Sequence, residues 1–192
     1  MQVCLDSLLP RIVPQVSYAI RVFGGKDDLL RKLPKRLAGY RHWPETPRLR
    51  VSVVVDRDDD DCVALRQRMD DVVIEAGFSL GSCKLQQVGT VLNRIAVEEL
   101  EAWVFGDIPA MVAAYGVAPS LGSRARYRNP DAIRGGTWEA LERELRSHGH
   151  PGGLEKVRAA REIAAHMNVD QNNSQSFRSF RDGLRFFVGV SI

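Results

Sequence analysis

Two clusters of acidic residues stand out in the sequence as groups that could bind a metal ion. In the first, Asp56 and Asp58 directly follow the apolar run Val53–Val55. Residues two apart in an extended turn point to the same side, so these carboxylates repel each other unless a cation neutralises them. Mg²⁺ favours carboxylate oxygens and needs only one or two of them, with water and substrate phosphate oxygens completing its shell. This cluster therefore predicts a Mg²⁺ or Mn²⁺ site.

The neighbouring acids have a structural interpretation as well. Asp61, and in part Asp59, are interpreted as caps of the following helix, because a helix N-terminus favours negative charge. Asp60 is predicted as a third metal ligand. A calcium loop of the EF-hand type is a poor match, because Asp61 occupies the glycine position and Gln67 the position of the bidentate acid.

The second cluster opens a predicted helix after another predicted strand. Helical geometry places Glu98 and Glu101 on one face. Acidic residues are common at helix N-termini, and this alone could account for each glutamate of the cluster. Alternatively, Glu99 or Glu101 could supply a further metal ligand or orient water. The predicted catalytic residues are thus Asp56, Asp58, Glu99 and Glu101, and the predicted metal ligands are Asp56, Asp58 and Asp60.

Alternating strands and helices must position these acids. Residues 18–23 are predicted as a strand, because apolar side chains alternate and two glycines follow. Residues 48–55 are a second strand, typical of a central parallel strand, and residues 85–97 contain a third that runs into a helix at Glu98. Leucines at helical spacing predict a helix over 26–39, which Pro34 should divide, and residues 63–76 are a further helix. The acids lie at the carboxyl ends of the strands, where ligands bind in such sheets.

The second half of the chain shows no persuasive strand after Gly116. Helices are predicted over residues 137–147, 153–166 and 174–190. The predicted fold class is therefore α/β, with a parallel sheet, flanking helices and a helical C-terminal region. We expect an α/β core over residues 1–116 and a helical extension over residues 117–192 that packs on it.

Length and composition exclude several protein classes. The chain has 192 residues, 44% of them hydrophobic and 27% charged, which is typical of globular proteins. No apolar run approaches the roughly 20 residues of a membrane span, and Asp6 and Pro10 interrupt any export signal. The three cysteines, Cys4, Cys62 and Cys83, form no CxxC pair and favour a reducing compartment. We therefore expect a cytoplasmic protein without a membrane partner.

Positive charge is concentrated in residues 21–50 and 119–136. The net charge of +3 does not by itself indicate a binding partner. Tyr40, Trp43 and Tyr127 lie among these basic residues, which could contact phosphates while the rings stack on bases. The alternative is that the basic side chains only solvate helices whose leucines face the core. The predicted nucleic-acid contacts are Lys32, Lys35, Arg36, Arg124, Arg126 and Arg128.

Several motifs resemble those of known families. The turn VVVDRDDDDC at 53–62 resembles the Asp-x-Asp element of Toprim domains, which occur in topoisomerases, primases and nucleases of the overcoming-lysogenisation-defect type. Longer motifs resemble an uncharacterised bacterial family with a Toprim-like core, domain of unknown function 4276. These motifs cover nearly the whole chain: IRVFGGK at 20–26, NRIAVEELEAW at 93–103, GGTWEAL at 135–141 and SFRSF at 176–180.

The resemblance implies Mg²⁺-dependent phosphodiester chemistry, and genes that lie beside ATPases of the AAA or ABC type in settings of phage defence. Members of the family open with an acidic strand, followed by a helix that corresponds to the one at Leu8-Leu9-Pro10. In this chain Met1 lies only a few residues before Leu8. That strand and its glutamate are therefore expected to be missing, and the exposed sheet edge would favour a homodimer.

Three functions follow as expectations. The first is a metal-dependent nuclease of Toprim type, and the second is a non-catalytic, ATPase-associated subunit with a vestigial acidic site. The third is a phosphatase of the haloacid dehalogenase type, which also places Asp-x-Asp after a strand. It is less favoured, because it requires a later lysine and a further acidic pair, and Asp70-Asp71 lies too near to serve.

Overall fold

The fold is a small parallel sheet between layers of helices. The computed structural model describes residues 1–43, 48–82, 85, 89–150 and 155–189. In chain order the elements are α1 (Gln2–Ile12), α2 (Lys26–Tyr40), β1 (Val51–Asp56), α3 (Cys62–Glu75), β2 (Val91–Ala96), α4 (Glu101–Phe105), α5 (Ile108–Tyr115), α6 (Thr137–Ser147), α7 (Lys156–His166) and α8 (Gln175–Val188). Two 3₁₀ turns, Pro119–Ser123 and Pro130–Ala132, lie between α5 and α6. The α/β fold class with flanking helices is confirmed.

The two strands pair in parallel, with Val51 opposite Val91 and Asp56 opposite Ala96. Helix α3 connects them, as a parallel pair requires a long crossover. Asp61 begins this helix, because its carboxylate accepts hydrogen bonds from the backbone N–H groups of Val63 and Ala64. The predicted capping role of Asp61 is confirmed.

The two faces of the sheet pack against different helices. On one face, Val53 and Val55 join a cluster that includes Leu33 and Leu37 of α2 and Met69 of α3. On the other face, side chains of β1 and β2 pack into a larger cluster that runs from α1 to α8. Side chains alternate along each strand, so these two clusters are separate cores with the sheet between them. The members of the larger cluster that come from the sheet are Val54, Leu92 and Ala96.

Helix α2 corrects the expectation that Pro34 would divide it. The helix is continuous from Lys26 to Tyr40 with Pro34 inside. An interior proline costs about 3 kcal/mol, but burying an aliphatic side chain stabilises by about 1.5–3 kcal/mol. Packing of three leucines therefore outweighs the proline, and the buried side chains are Leu30, Leu33 and Leu37.

The prediction of a strand over residues 18–23 is wrong. These residues have no regular secondary structure, and the side chains of Tyr18 and Val22 are 45% and 64% exposed. Among the described residues, no backbone hydrogen bond joins this segment to either strand. An alternating pattern specifies a strand only where a neighbouring strand accepts its backbone groups, and here none does.

The later elements match the predictions with shifted bounds. Strand β2 occupies only the end of the segment predicted over 85–97, and residues 83–84 and 86–88 lie outside the described part. Helix α6 has the predicted bounds, while α7 begins at Lys156 and α8 ends at Val188. The predicted ends at Gly153 and Val190 lie outside the described residues.

The predicted boundary after residue 116 stays a prediction. The larger hydrophobic cluster contains residues from both sides of it, from Cys4 in α1 to Phe187 in α8. Trp103 of α4 lies in this cluster with its ring stacked on that of Phe180 at a centroid distance of 5.0 Å. The α/β part and the helical part thus share one core.

Candidate acidic site

A buried pair of carboxylates lies where β1 ends. Asp56 is the last residue of β1, and Glu101 is the first residue of α4. The Glu101 side chain is only 3% exposed. Within the described residues, Asp56 Oδ1 and Glu101 Oε2 are buried and have no hydrogen-bond partner. Buried polar atoms are almost always hydrogen-bonded, so two such oxygens at one strand end require an explanation.

The ionisation of Asp56 reflects this environment. Burial raises the pKa of Asp56 to about 6, and the negative charge of Glu101 raises it in the same direction. Burial also raises the pKa of Glu101, against the opposing charge of Lys156. Two carboxylates with raised pKa values form a site that gains from a cation or a proton.

Lys156 supplies a positive charge to this site from the first turn of α7. Its Nζ atom donates a hydrogen bond to Glu99 Oε1 at 2.7 Å and lies 3.3 Å from Glu101 Oε2. Partial burial lowers the pKa of Lys156, but the hydrogen bond to Glu99 and the charge of Glu101 outweigh this and raise it. The ammonium group also lies 5.9 Å from the centre of the Trp138 ring.

Glu99 is fixed by three donors. Its Oε2 atom accepts hydrogen bonds from Thr137 Oγ1 at 3.0 Å and from the Trp138 backbone N–H at 3.2 Å, while Oε1 accepts from Lys156. Burial alone would raise the pKa of Glu99, but these donors together lower it. Thr137 thus positions Glu99 by donating a hydrogen bond to its carboxylate.

The other acids of the Asp-x-Asp turn have a different partner. Lys26, the first residue of α2, contacts Asp58 at 2.9 Å and Asp60 at 2.6 Å. Its Nζ atom also donates to the Arg57 carbonyl. Burial would lower the pKa of Lys26, but the hydrogen bonds to Asp60 and Asp58 raise it. The turn is therefore divided, with Asp56 on the Glu101 side and Asp58 and Asp60 on the Lys26 side.

Backbone strain is concentrated in the same place. Asp58 and Glu98 adopt positive φ values of 50° and 63°, a conformation that is rare for residues other than glycine. The Asp58 N–H donates to the Glu98 carbonyl at 2.9 Å, which joins the two turns. Strained residues persist where surrounding contacts determine the conformation, and they are frequent at functional sites.

Glu98 corrects one sequence expectation. It lies outside α4, which begins at Glu101, so the two residues do not share a helix face. Glu98 instead forms an ion pair with Arg57. The left-handed conformation of Glu98 turns the chain between β2 and α4, and Glu98 thereby contacts Arg57 while Glu99 and Glu101 both contact Lys156.

The ability of the site to hold a metal ion rests on its unpaired oxygens. Asp56 Oδ1 and Glu101 Oε2 have no hydrogen-bond partner, although Lys156 lies 3.3 Å from Glu101 Oε2, and carboxylate oxygens are the donors that Mg²⁺ and Mn²⁺ prefer. Over the described ranges, no three His, Cys, Asp or Glu side chains form a group that could hold a metal ion. Ligation by Asp56, Asp58 and Asp60 stays a prediction, with Asp58 and Asp60 held by Lys26.

The predicted nucleic-acid contacts lie in two parts of the chain, helix α2 and the loop before α6. Lys32 pairs with Asp28 on α2 at 2.8 Å, and Arg124 pairs with Glu144 on α6 at 3.0 Å. Lys35 and Arg36 are exposed on α2. Arg126 and Arg128 lie in the loop before α6, where they contact backbone carbonyls at 3.5 Å. Their role in binding nucleic acid stays a prediction.

Several residues of the site were not predicted from the sequence as functional. Thr137 and Trp138 lie within the motif GGTWEAL, and Lys26 lies in IRVFGGK. Both motifs indicate the family, but neither shows what these residues do. Lys156 lies in no motif, and only the fold brings α7 to the acidic cluster.

The motifs around this site are those of a known family. A family model described as a domain of unknown function, DUF4276, matches residues 1–185. The chain belongs to the DUF4276 family. Comparison with curated proteins and with solved structures gives no match. In the part of this family member that the structure describes, no helix has both the length and the apolar character needed to cross a membrane.

Proposed function

We propose that this DUF4276 protein is a metal-dependent phosphodiesterase of Toprim type that cleaves nucleic acid. The observation that carries the proposal is the buried pair Asp56 and Glu101, each with an oxygen that lacks a hydrogen-bond partner. The pair lies at the carboxyl end of a parallel strand, where active sites of α/β sheets are found. Buried carboxylate oxygens without hydrogen bonds are costly for folding, and this favours a functional reason for their retention.

Each side chain has a defined part in this proposal. Asp56 and Glu101 would hold Mg²⁺ or Mn²⁺, which when bound activates water and stabilises negative charge on phosphoryl oxygens. Glu99, held by Thr137 and Trp138, is positioned to accept a proton from water or to orient it. The exposed bases Lys35 and Arg36 would bind the phosphate backbone, with Lys32, Arg124, Arg126 and Arg128 as further contacts.

The test is a cleavage assay with Mg²⁺ or Mn²⁺ on single-stranded and double-stranded DNA and RNA. We expect metal-dependent cleavage by the wild type and a loss of at least about a hundredfold in Asp56→Asn and Glu101→Gln, in line with the size of general acid–base and metal contributions. Asp59→Asn is the matched control, because Asp59 is an exposed acid of the same turn. Equal cleavage by the control and the Asp56 variant would refute the assignment.

A second function is supported by the lysines. Lys26 neutralises Asp58 and Asp60, and Lys156 neutralises Glu99 and Glu101, so most acids of the site already have a cationic partner. This favours a non-catalytic role, and the family resemblance adds the proposal that the subunit associates with an ATPase of the AAA or ABC type. Stable association with such an ATPase, with no cleavage under any metal condition, would select this function over the first.

A further inference from the structure

The position of Lys156 suggests how the acidic site is occupied. Its ammonium group bridges Glu99 Oε1 and Glu101 Oε2 at 2.7 and 3.3 Å. Glu101 is almost fully buried, and Glu101 Oε2 is aimed into the site without a hydrogen-bond partner. The cation that contacts Glu101 is therefore the ammonium group of Lys156.

The chemistry of this contact is that of a replaceable counter-ion. Lys156 Nζ lies at ion-pair distance from Glu101 Oε2 but forms no hydrogen bond with it, so Oε2 still lacks a hydrogen-bond partner. An ammonium carries one positive charge and cannot coordinate two carboxylates as a divalent ion does. The Lys156 side chain is 44% exposed, which allows it to move into solvent without disrupting the core.

This inference rests on the proposed function: we propose that Lys156 is an internal counter-ion, and that it competes for Glu101 with the divalent cation that Asp56 and Glu101 would hold. The site then has two occupied states, one with the ammonium group against the glutamates and one with the divalent ion bound. In the second state Lys156 leaves both glutamates and becomes exposed. Lys156 thereby sets the concentration of free metal at which the site fills.

Calorimetric titration with Mn²⁺ tests this competition. We expect Lys156→Met to bind Mn²⁺ about fivefold to tenfold more tightly than the wild type, because the variant removes an ion pair worth about 1 kcal/mol. Arg158→Met is the matched control, since Arg158 lies on the same helix and pairs with Glu162 instead. Circular dichroism of each variant checks that the fold is retained.

The outcomes separate this inference from the proposed function. If the wild type and Lys156→Met bind Mn²⁺ equally, or the variant binds more weakly, the competition is refuted while the metal site stands. If neither binds, and Asp56→Asn behaves in the same way, both proposals fail. Tighter binding in Lys156→Met alone supports the competition.

A second measurement follows the lysine directly. Acetylation of amines, with mass spectrometry, gives the modification rate of Lys156 with and without Mn²⁺. We expect the rate at Lys156 to rise severalfold with Mn²⁺, while the exposed Lys35 on α2 keeps its rate. An unchanged rate at Lys156 under saturating Mn²⁺ would contradict its displacement.

Discussion

The cost of keeping Asp56 buried can be measured through pH. The folded protein holds the pKa of Asp56 at about 6, because burial and Glu101 disfavour its ionised form. In the unfolded chain an aspartate has a pKa of about 3.9. Below about pH 4 the carboxyl is protonated in both states, and as pH rises to about 6 the unfolded state ionises first. Stability is therefore lost over this window as pH rises.

We expect Asp56→Asn to remove this loss. Its free energy of unfolding at pH 7.5 should exceed that of the wild type by about 3 kcal/mol, while at pH 4 the two should be nearly equal. Urea unfolding at both pH values measures the difference. Asp59→Asn retains Asp56, so its difference in stability from the wild type should be small and the same at both pH values. A destabilised Asp56→Asn at pH 7.5 would contradict the burial argument.

Thr137 holds Glu99 through a hydroxyl group buried at the start of α6. Thr137→Val keeps the shape of the side chain but removes the donor, so we expect a loss of about 1.5–3 kcal/mol, the value of a hydrogen bond to a charged group. Urea unfolding gives this value. In a Glu99→Ala background the same substitution should cost much less, since its acceptor is absent. Equal costs in both backgrounds would refute the contact.

The residues of the site could be predicted from sequence only where they lie beside each other. The position of Asp56 after an apolar run predicts that it belongs to the site, and the position of Glu101 in an acidic cluster predicts the same. The partner of each acid was not predictable, because Lys26 and Lys156 approach from distant helices. Local spacing also suggested that Glu98 and Glu101 share a face, but a left-handed residue at Glu98 separates them.

At the scale of the element, α2 shows how packing outweighs local preference. Pro34 removes one hydrogen bond in the middle of a helix whose leucines are buried against α3 and the sheet. Pro34→Ala should therefore stabilise the protein by about 1–3 kcal/mol, as Ala restores the N–H donor and removes the ring clash. Thermal unfolding measures the gain. Gly39→Ala, at an open position of the same helix, should gain only about 0.5–1 kcal/mol.

The strands mark where local patterns are insufficient. The apolar run of β1 predicts a buried strand. In the structure, Val53 and Val55 are covered by side chains of α2 and α3. The segment over 18–23 shows an alternating apolar pattern instead, and it lacks a strand partner among the described residues. Strand formation depends on a neighbour distant in sequence, whereas the 3.6-residue pattern of α3 is complete within the helix itself.

At the scale of the whole molecule, the helical C-terminal region is tied to the α/β part by buried side chains. Trp103 of α4 contacts Phe177 of α8 edge to face at 5.4 Å, and its indole N–H donates to Ser176 Oγ at 2.9 Å. Arg11 of α1 donates to the backbone carbonyls of Ala164 and Met167 at the end of α7. The last turn of α7 thus takes its capping donors from the first helix.

These contacts predict that the chain unfolds in one transition. Phe177→Ala removes a fully buried ring from the shared core and should cost about 3–5 kcal/mol. Tryptophan fluorescence, which reports on Trp43, Trp103 and Trp138 together, and far-ultraviolet circular dichroism, which reports on all helices, should shift to the same lower urea midpoint. Phe78→Ala serves as the comparison, because Phe78 is only partly buried against the other core. If the two signals separate in Phe177→Ala, residues 1–116 and 117–192 unfold as independent units, and the shared core does not couple them.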